Sequence, residues 1–332
     1  MGMFNPLMSR ARRFASTLAF ALSVALLPAA SANALDVQST VRLGPRLLDV
    51  TLSTPALSAP THVRVLLPDG YRSDRRRYSV LYLLHGAAGN YTSWTGSALR
   101  MTKGLPLIVV TPDGGPAGFY SDWYNDGRGG PPMWETYHVG ELIPWIDSRF
   151  RTKAVGRARA VAGYSMGGFG ALSYAARHPG LFSIAASFSG PVDSNYAPFW
   201  PLFETQRTPS GDPAVWGPRD TQEARWRAHN PWDLAAQLRG TRVLLFTGNG
   251  QPGGAYGGGP DSFEAGIEQT NLSLNDRLNE LGIPHVFVDR PGTHAAVYAK
   301  HDLAETLVYL MHVLPHPRIG HGAPSHAGRH SG

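Results

Sequence analysis

The sequence predicts an α/β fold in which helices cover both faces of a mostly parallel central sheet. Three observations carry that expectation. Continuous apolar runs such as Ser79–Leu84 have the composition of strands buried on both faces. They alternate with segments of helical period, the pattern of strand–helix–strand units. One such run ends in a glycine-bounded serine, Gly163-Tyr164-Ser165-Met166-Gly167, and a helix-forming stretch follows at once to about Arg177.

Taken in order, Arg46–Leu52 and Thr61–Leu67 read as strands rich in Val and Leu, the second closed by the turn residues Pro68-Asp69-Gly70. Ser79–Leu84 is a buried strand ending in His85-Gly86-Ala87-Ala88-Gly89, with a helix after it through Leu99. Leu105–Thr111 is the next strand, and a long loop over 116–132 holds Phe119-Tyr120-Ser121-Asp122-Trp123-Tyr124. Met133–Arg149 reads as one helix, with Val139, Leu142, Ile143 and Ile146 at helical spacing. Phe182–Phe188 is a strand. Residues 190–235, rich in Pro, Trp and Gly without clear periodicity, read as a lid or pocket wall. Arg242–Phe246 is a strand, and Asp261–Leu281 a helix with Phe263, Ile267, Leu274, Leu278 and Leu281 on one face. His285–Val288 is the last strand and Ala295–Val313 the last helix. The alternation shows no internal repeat and no second boundary, so residues 35–315 are expected to form one domain.

The ends differ from this core. Residues 1–34 carry Arg10, Arg12 and Arg13, then the apolar run Leu18–Leu27, then Ala32-Asn33-Ala34: the three parts of a cleaved export signal. The apolar run is too short to span a bilayer, so no stable membrane span is expected. Residues 316–332, with four histidines among Gly, Pro, Ser and Ala, read as a disordered, solvated tail. The formal net charge of +6 is mostly carried by these two ends, whose five arginines face no acids; +1 remains on residues 35–315. A nearly neutral domain gives no footing to a nucleic-acid partner. The chain has no cysteine, which removes disulfides, thiolate catalysis and Cys-based metal sites. The expected location is outside the cell or in the cell envelope of a bacterium.

The glycine-bounded serine fits the pattern G-x-S-x-G, in which a strained strand-to-helix turn lifts the serine hydroxyl above the sheet edge. A serine hydroxyl is a poor nucleophile unless a base takes its proton, and in the α/β-hydrolase order an acid and then a histidine follow the serine. His294 lies in the loop after the last strand, where that base belongs, whereas His301 and His312 fall within the last helix. The usual place for the acid, after strand 242–246, reads Gly248-Asn249-Gly250-Gln251 and offers no carboxylate. Asp261, Glu264, Glu268 and Asp289 remain as candidates. Asp261 and Glu264 stand level, since both also suit a helix N-terminus. The oxyanion donors are expected to be the backbone N–H groups of Met166, which follows the serine, and Ala87, in the loop after His85-Gly86.

With these residues in place the chain resembles the secreted antigen 85 mycolyltransferases, within the wider esterase D-type group of serine esterases. The resemblance spans about residues 40–315. It rests on Tyr82–Gly86, Phe119–Tyr124, Trp134-Glu135-Thr136, Glu141-Leu142, Gly163–Gly168, Gly248-Asn249-Gly250, Phe263-Glu264, Asn271-Leu272 and Gly292-Thr293-His294. It implies Glu264, a few residues before Asn271-Leu272, as the acid, hence a Ser165–Glu264–His294 triad with Ala87 and Met166 at the oxyanion positions. Three departures tell against mycolate and trehalose as substrates. His85 and Ala88 stand where those enzymes have an aspartate and an arginine, Ala296 replaces a tryptophan, and a cysteine pair is absent. The implied function is an exported serine esterase or acyltransferase acting on a small acyl ester or glycolipid through an acyl-enzyme on Ser165. No cofactor or metal is needed for that chemistry. A feruloyl- or acetyl-type carbohydrate esterase is the alternative enzyme, and a catalytically silent surface-binding protein the alternative of another class.

Overall fold

The computed structural model describes Gly2, residues 35–204 and residues 215–316. The leader expected over 1–34 (Gly2 apart), residues 205–214 of the expected lid, and the tail beyond residue 316 lie outside the described residues.

The strands are β1 (Asp36–Arg42), β2 (Leu47–Ser53), β3 (Thr61–Leu66), β4 (Ser79–Leu84), β5 (Leu107–Pro112), β6 (Arg159–Tyr164), β7 (Ile184–Phe188), β8 (Arg242–Gly248) and β9 (His285–Arg290). They form one sheet in the order β1-β2-β3-β5-β4-β6-β7-β8-β9. The pairs from β5 through β9 are parallel, and β1, β2 and β3 add an antiparallel edge. The helices are α1 (Thr95–Met101), α2 (Ile143–Arg149), α3 (Met166–Arg177), α4 (Trp200–Glu204), α5 (Glu223–Arg227), α6 (Ser262–Glu280) and α7 (Ala296–Val313). None among the described residues is long and apolar enough to cross a membrane.

The continuous apolar runs are explained by the two layers they feed. In β4, Val80, Tyr82 and Leu84 point into one core with Val161, Phe169 and Leu172. Leu81 and Leu83 point into the other, against Leu303, Leu307 and Leu310 of α7. A strand covered on both sides has no polar face to alternate with. Each fully buried leucine contributes on the order of 2 kcal/mol by leaving water. The arrangement is the α/β-hydrolase fold.

Three segments depart from expectation. β1 was not anticipated: as an edge strand it is exposed along nearly its whole length, so DVQSTVR shows no buried face to read. The expected helix 133–149 is a π-helical turn over Thr136–Leu142 that passes into α2. Pro144 has no N–H to give the carbonyl four residues back, and the wider π turn accommodates that gap. The stretch 190–235 contains the short helices α4 and α5 and two helical turns, Ala197–Phe199 and Ala235–Leu238.

Candidate active site

Ser165 joins β6 to α3 at φ 54° and ψ −119°, a strained backbone for a residue with a side chain. The turn is possible because of its neighbours. A Cβ on Gly163 would lie 2.3 Å from the Gly167 carbonyl oxygen, and one on Gly167 would lie 2.6 Å from the Leu84 carbonyl oxygen. Such separations are below any tolerated contact, so the two glycines are required by crowding of strand on helix. The Ser165 N–H donates to the Phe188 carbonyl at 2.8 Å, which ties the turn to β7.

His294 reaches this serine from the loop between β9 and α7. Its Nε2 is 2.8 Å from Ser165 Oγ, and its Nδ1 is 2.5 Å from Glu264 Oε2. A carboxylate at Nδ1 fixes the tautomer: Nδ1 carries the proton and Nε2 is left to accept from the hydroxyl. The imidazole is further held on its own backbone and faces. Tyr164 donates its hydroxyl to the His294 carbonyl at 2.5 Å, the Asp261 Oδ2 accepts the His294 N–H at 2.8 Å, and the Phe263 ring meets the imidazole edge-on at 4.7 Å.

Glu264 is fully buried. Its Oε1 accepts from the Ser189 hydroxyl at 2.6 Å and from the Gly248 N–H at 2.6 Å, leaving Oε2 to His294. It also lies in the first turn of α6, whose dipole favours a negative charge. A buried carboxylate is tolerable only with this degree of pairing. Asp261, the candidate that stood level with it, is the N-cap: its Oδ1 accepts the N–H groups of Phe263 and Glu264, both at 3.1 Å. Partial burial pushes the Asp261 carboxyl up, but those backbone donors and the nearby imidazole outweigh it and hold it below the usual range. Burial, together with the charges of Glu264 and Asp261, pushes the Tyr164 hydroxyl well up, so it stays a proton donor. Glu268 lies one turn further along α6 and interacts with Asp289, and burial with that second carboxylate raises the Glu268 carboxyl.

Ala87 and Met166 border the same cleft as Ser165 and His294, a space of about 190 Å³ whose remaining walls include Phe119, Leu202 and Phe263. Met166 opens α3, so its N–H is one of those a helix start leaves without an intrahelical acceptor. The Ala87 loop is braced from below. Ala88 (φ 58°) donates its N–H to the Pro116 carbonyl at 2.7 Å, and Gly89 donates to the Gly86 carbonyl at 3.1 Å. His85 is buried beneath them. Its Nδ1 is 2.8 Å from the Gly86 carbonyl oxygen, and its Nε2 lies 2.9 Å from the Gly114 nitrogen and 3.2 Å from Asp113 Oδ1. Tyr120 donates its hydroxyl to the His85 carbonyl at 2.9 Å.

Ser165, His294, Ala87 and Met166 thus converge on one cleft with Glu264 buried behind His294, while Glu268 and Asp289 pair with each other. Sequence reasoning missed Ser189, Gly248, Tyr164 and the anchoring role of Asp261. One signal was available for Ser189: it follows β7 at the same edge of the sheet as Ser165 follows β6, and it too has a positive φ of 48°.

Comparison with known proteins agrees with this architecture. The family model named Esterase matches residues 54–310. Esterase Rv1288 of Mycobacterium tuberculosis is 37% identical over 262 residues, which cover 75% of this chain and 56% of that protein. The chain therefore spans little more than half the length of that relative. Diacylglycerol acyltransferase/mycolyltransferase Ag85B of Mycolicibacterium smegmatis is 32% identical over 252 residues, 70% of this chain and 77% of that protein. Among solved structures, a ferulic acid esterase superposes with a TM-score of 0.60 at 22% identity, covering 81% of this chain and 99% of the other.

Proposed function

The chain belongs to the Esterase family, and on that premise we propose that it cleaves or transfers acyl esters through an acyl-enzyme on Ser165. The observation that carries the reading is the unbroken line from Ser165 Oγ through the His294 ring to the buried Glu264. In the first half-reaction Ser165 Oγ bonds to the ester carbonyl carbon as His294 Nε2 takes the hydroxyl proton. The carbonyl electrons collect on oxygen, facing the Ala87 and Met166 N–H groups. They then return, the bond to the leaving oxygen breaks, and His294 gives that oxygen the proton. Glu264 holds the imidazole in the required tautomer and stabilises its charged form. Water or an acceptor alcohol repeats the steps in reverse on the acyl-enzyme. The relatives include an esterase and a diacylglycerol acyltransferase, and those two activities differ only in that second nucleophile.

The test is turnover of p-nitrophenyl esters of graded chain length. Ser165→Ala is expected to abolish it and to lose labelling by a fluorophosphonate. Glu264→Gln is expected to lower kcat by on the order of 10³- to 10⁴-fold through loss of the tautomer-fixing charge. Full activity of Glu264→Gln, or an unlabelled Ser165 in folded wild type, refutes the reading. The aromatic walls supplied by Phe119 and Phe263 also suit an aryl acyl group. Release of ferulate from a ferulate ester in the same assay, without transfer to a sugar acceptor, selects the carbohydrate-esterase form.

We further infer that residues 35–315 act as one exported domain, from the tripartite composition of residues 1–34. Amino-terminal sequencing of the protein recovered outside an expressing cell is expected to begin at Leu35. Retention of the intact leader inside the cell contradicts the inference.

A further inference from the structure

Two cavities meet at the wall made by Ala87 and Tyr164. One is the cleft that holds Ser165 and His294. The other, about 130 Å³, is bounded beyond that shared wall by Ser93, Trp94, Ala296 and Lys300. A carbonyl carbon attached to Ser165 Oγ carries three further groups: the oxyanion, the acyl chain and the leaving oxygen. With the oxyanion turned to the Ala87 and Met166 N–H groups, the other two need separate room. The cleft is walled by Phe119, Leu202 and Phe263 and suits an apolar acyl chain. The second cavity includes Ala296, two residues beyond His294, the group that hands the proton to the departing oxygen.

The second cavity also differs in charge. No aspartate or glutamate lines it, and the Lys300 side chain, on a residue of intermediate exposure, makes no hydrogen bond or ion pair among the described residues. An ammonium without a counter-ion at the rim of an apolar cavity favours entry of an anion and opposes a cation. A lone ammonium is a point charge that one carboxylate satisfies, whereas planar multi-donor recognition calls for arginine. We propose that this cavity receives the alcohol half of the ester and that Lys300 selects alcohols bearing a carboxylate. The proposal rests on the acyl-enzyme reaction above and names which half of its substrate carries the charge.

The probes are three butyrate esters that differ only at the para position of a phenol: 4-carboxyphenyl, 4-carbamoylphenyl and 4-(trimethylammonio)phenyl butyrate. Each rate is divided by its hydroxide-catalysed rate to remove intrinsic reactivity. Wild type is expected to show a kcat/KM for the carboxylate about fivefold above that for the carboxamide, with the cation slowest, and the ratio should shrink as salt is raised. Lys300→Gln should bring the ratio near one, and Lys300→Glu should invert the order of carboxylate and cation. Equal values in wild type, or an unchanged ratio in Lys300→Gln, overturn the proposal. Hydrolysis of p-nitrophenyl butyrate in the same preparations reports separately on the reaction itself. Calorimetric binding of the carboxylate and carboxamide esters to Ser165→Ala reads the cavity without turnover. Tighter binding of the carboxylate, lost in the Ser165→Ala, Lys300→Gln double variant, supports the proposal; equal binding defeats it.

Discussion

At the scale of single residues, two carboxylates at the N-terminus of one helix, Asp261 as its N-cap and Glu264 in its first turn, hold His294 from opposite ends. Glu264 takes the ring through Nδ1, and Asp261 takes the backbone through the His294 N–H. Their surroundings separate their duties. Glu264 is enclosed, with each oxygen committed, while Asp261 is partly exposed and spends its other oxygen on capping α6. Asp261→Asn keeps an oxygen for one of these tasks and loses the charge. Asparagine caps a helix about as well as aspartate, so the expected loss is that of the charged acceptor at the His294 N–H: stability falls by about 1 kcal/mol and kcat by about tenfold as the imidazole loosens. Urea unfolding read beside kcat checks this: a loss of activity as large as that of Glu264→Gln would mean that Asp261, not Glu264, serves the ring. The two acids stood level in the sequence because Asp and Glu in a first helical turn have the same capping chemistry. The resemblance pointed to Glu264; the physical distinction is the return of β7 and β8, which brings Ser189 and the Gly248 N–H onto Glu264, a contact between distant parts of the chain.

At the scale of elements, legibility follows burial. β4 through β8 could be read because each is a run with no exposed face, and α6 because its apolar residues fall on one side. β1 could not, since pairing with β2 needs only backbone groups and leaves its side chains in water. The π-helical turn before α2 was hidden for another reason. Val139, Leu142, Ile143 and Ile146 keep an apolar stripe through it, and periodicity does not register where the hydrogen bonds shift around Pro144. The run Phe119–Tyr124 was recognisable as a motif but not as a device. In the structure Tyr120 supports the His85 carbonyl, Asp122 accepts from the Thr136 N–H and hydroxyl, and Phe119 walls the cleft. A loop thus links the Ala87 side of the cleft to the helix that follows it, and its backbone turns through positive φ at Phe119 and Tyr120.

At the scale of the whole molecule, two buried histidines set the acid limit of the fold. His138 lies under the loop that carries Asp113: its Nε2 donates to the Asp113 carbonyl at 2.8 Å and its Nδ1 accepts from the Tyr174 hydroxyl at 2.9 Å. His229 stacks on Trp216 and donates through Nδ1 to the Arg225 carbonyl at 2.8 Å. His138 is satisfied as a neutral ring, and His229 has the Glu135 carboxylate 4.0 Å from its Nε2; burial nevertheless drives each down to about 4, for His229 with help from the Arg177 charge and against the pull of Glu135. The unfolded chain binds these protons from about pH 6.5 downward, the folded chain only near pH 4. Between those limits the unfolded state therefore holds more protons, and stability rises with pH. It is fully present above about pH 6.5 and is lost as pH falls toward 4, by about 1.4 kcal/mol per unit for each histidine and on the order of 3 kcal/mol each in total. The depressed carboxylates add to the loss at the acid end, Glu135 as pH falls below about 4.5 and Asp113 below about 3.8. In both, burial pushes upward but their hydrogen bonds and histidine or arginine neighbours prevail. Urea midpoints measured from pH 7 to pH 4.5 are expected to fall steeply, and His229→Gln, which can still donate to the Arg225 carbonyl, should remove about half of the slope. A flat profile in the wild type would mean that these rings take up protons without opening the fold. Since His138 underpins the Asp113 loop that braces His85, the same acidification is expected to slacken the Ala87 side of the site before the sheet itself gives way.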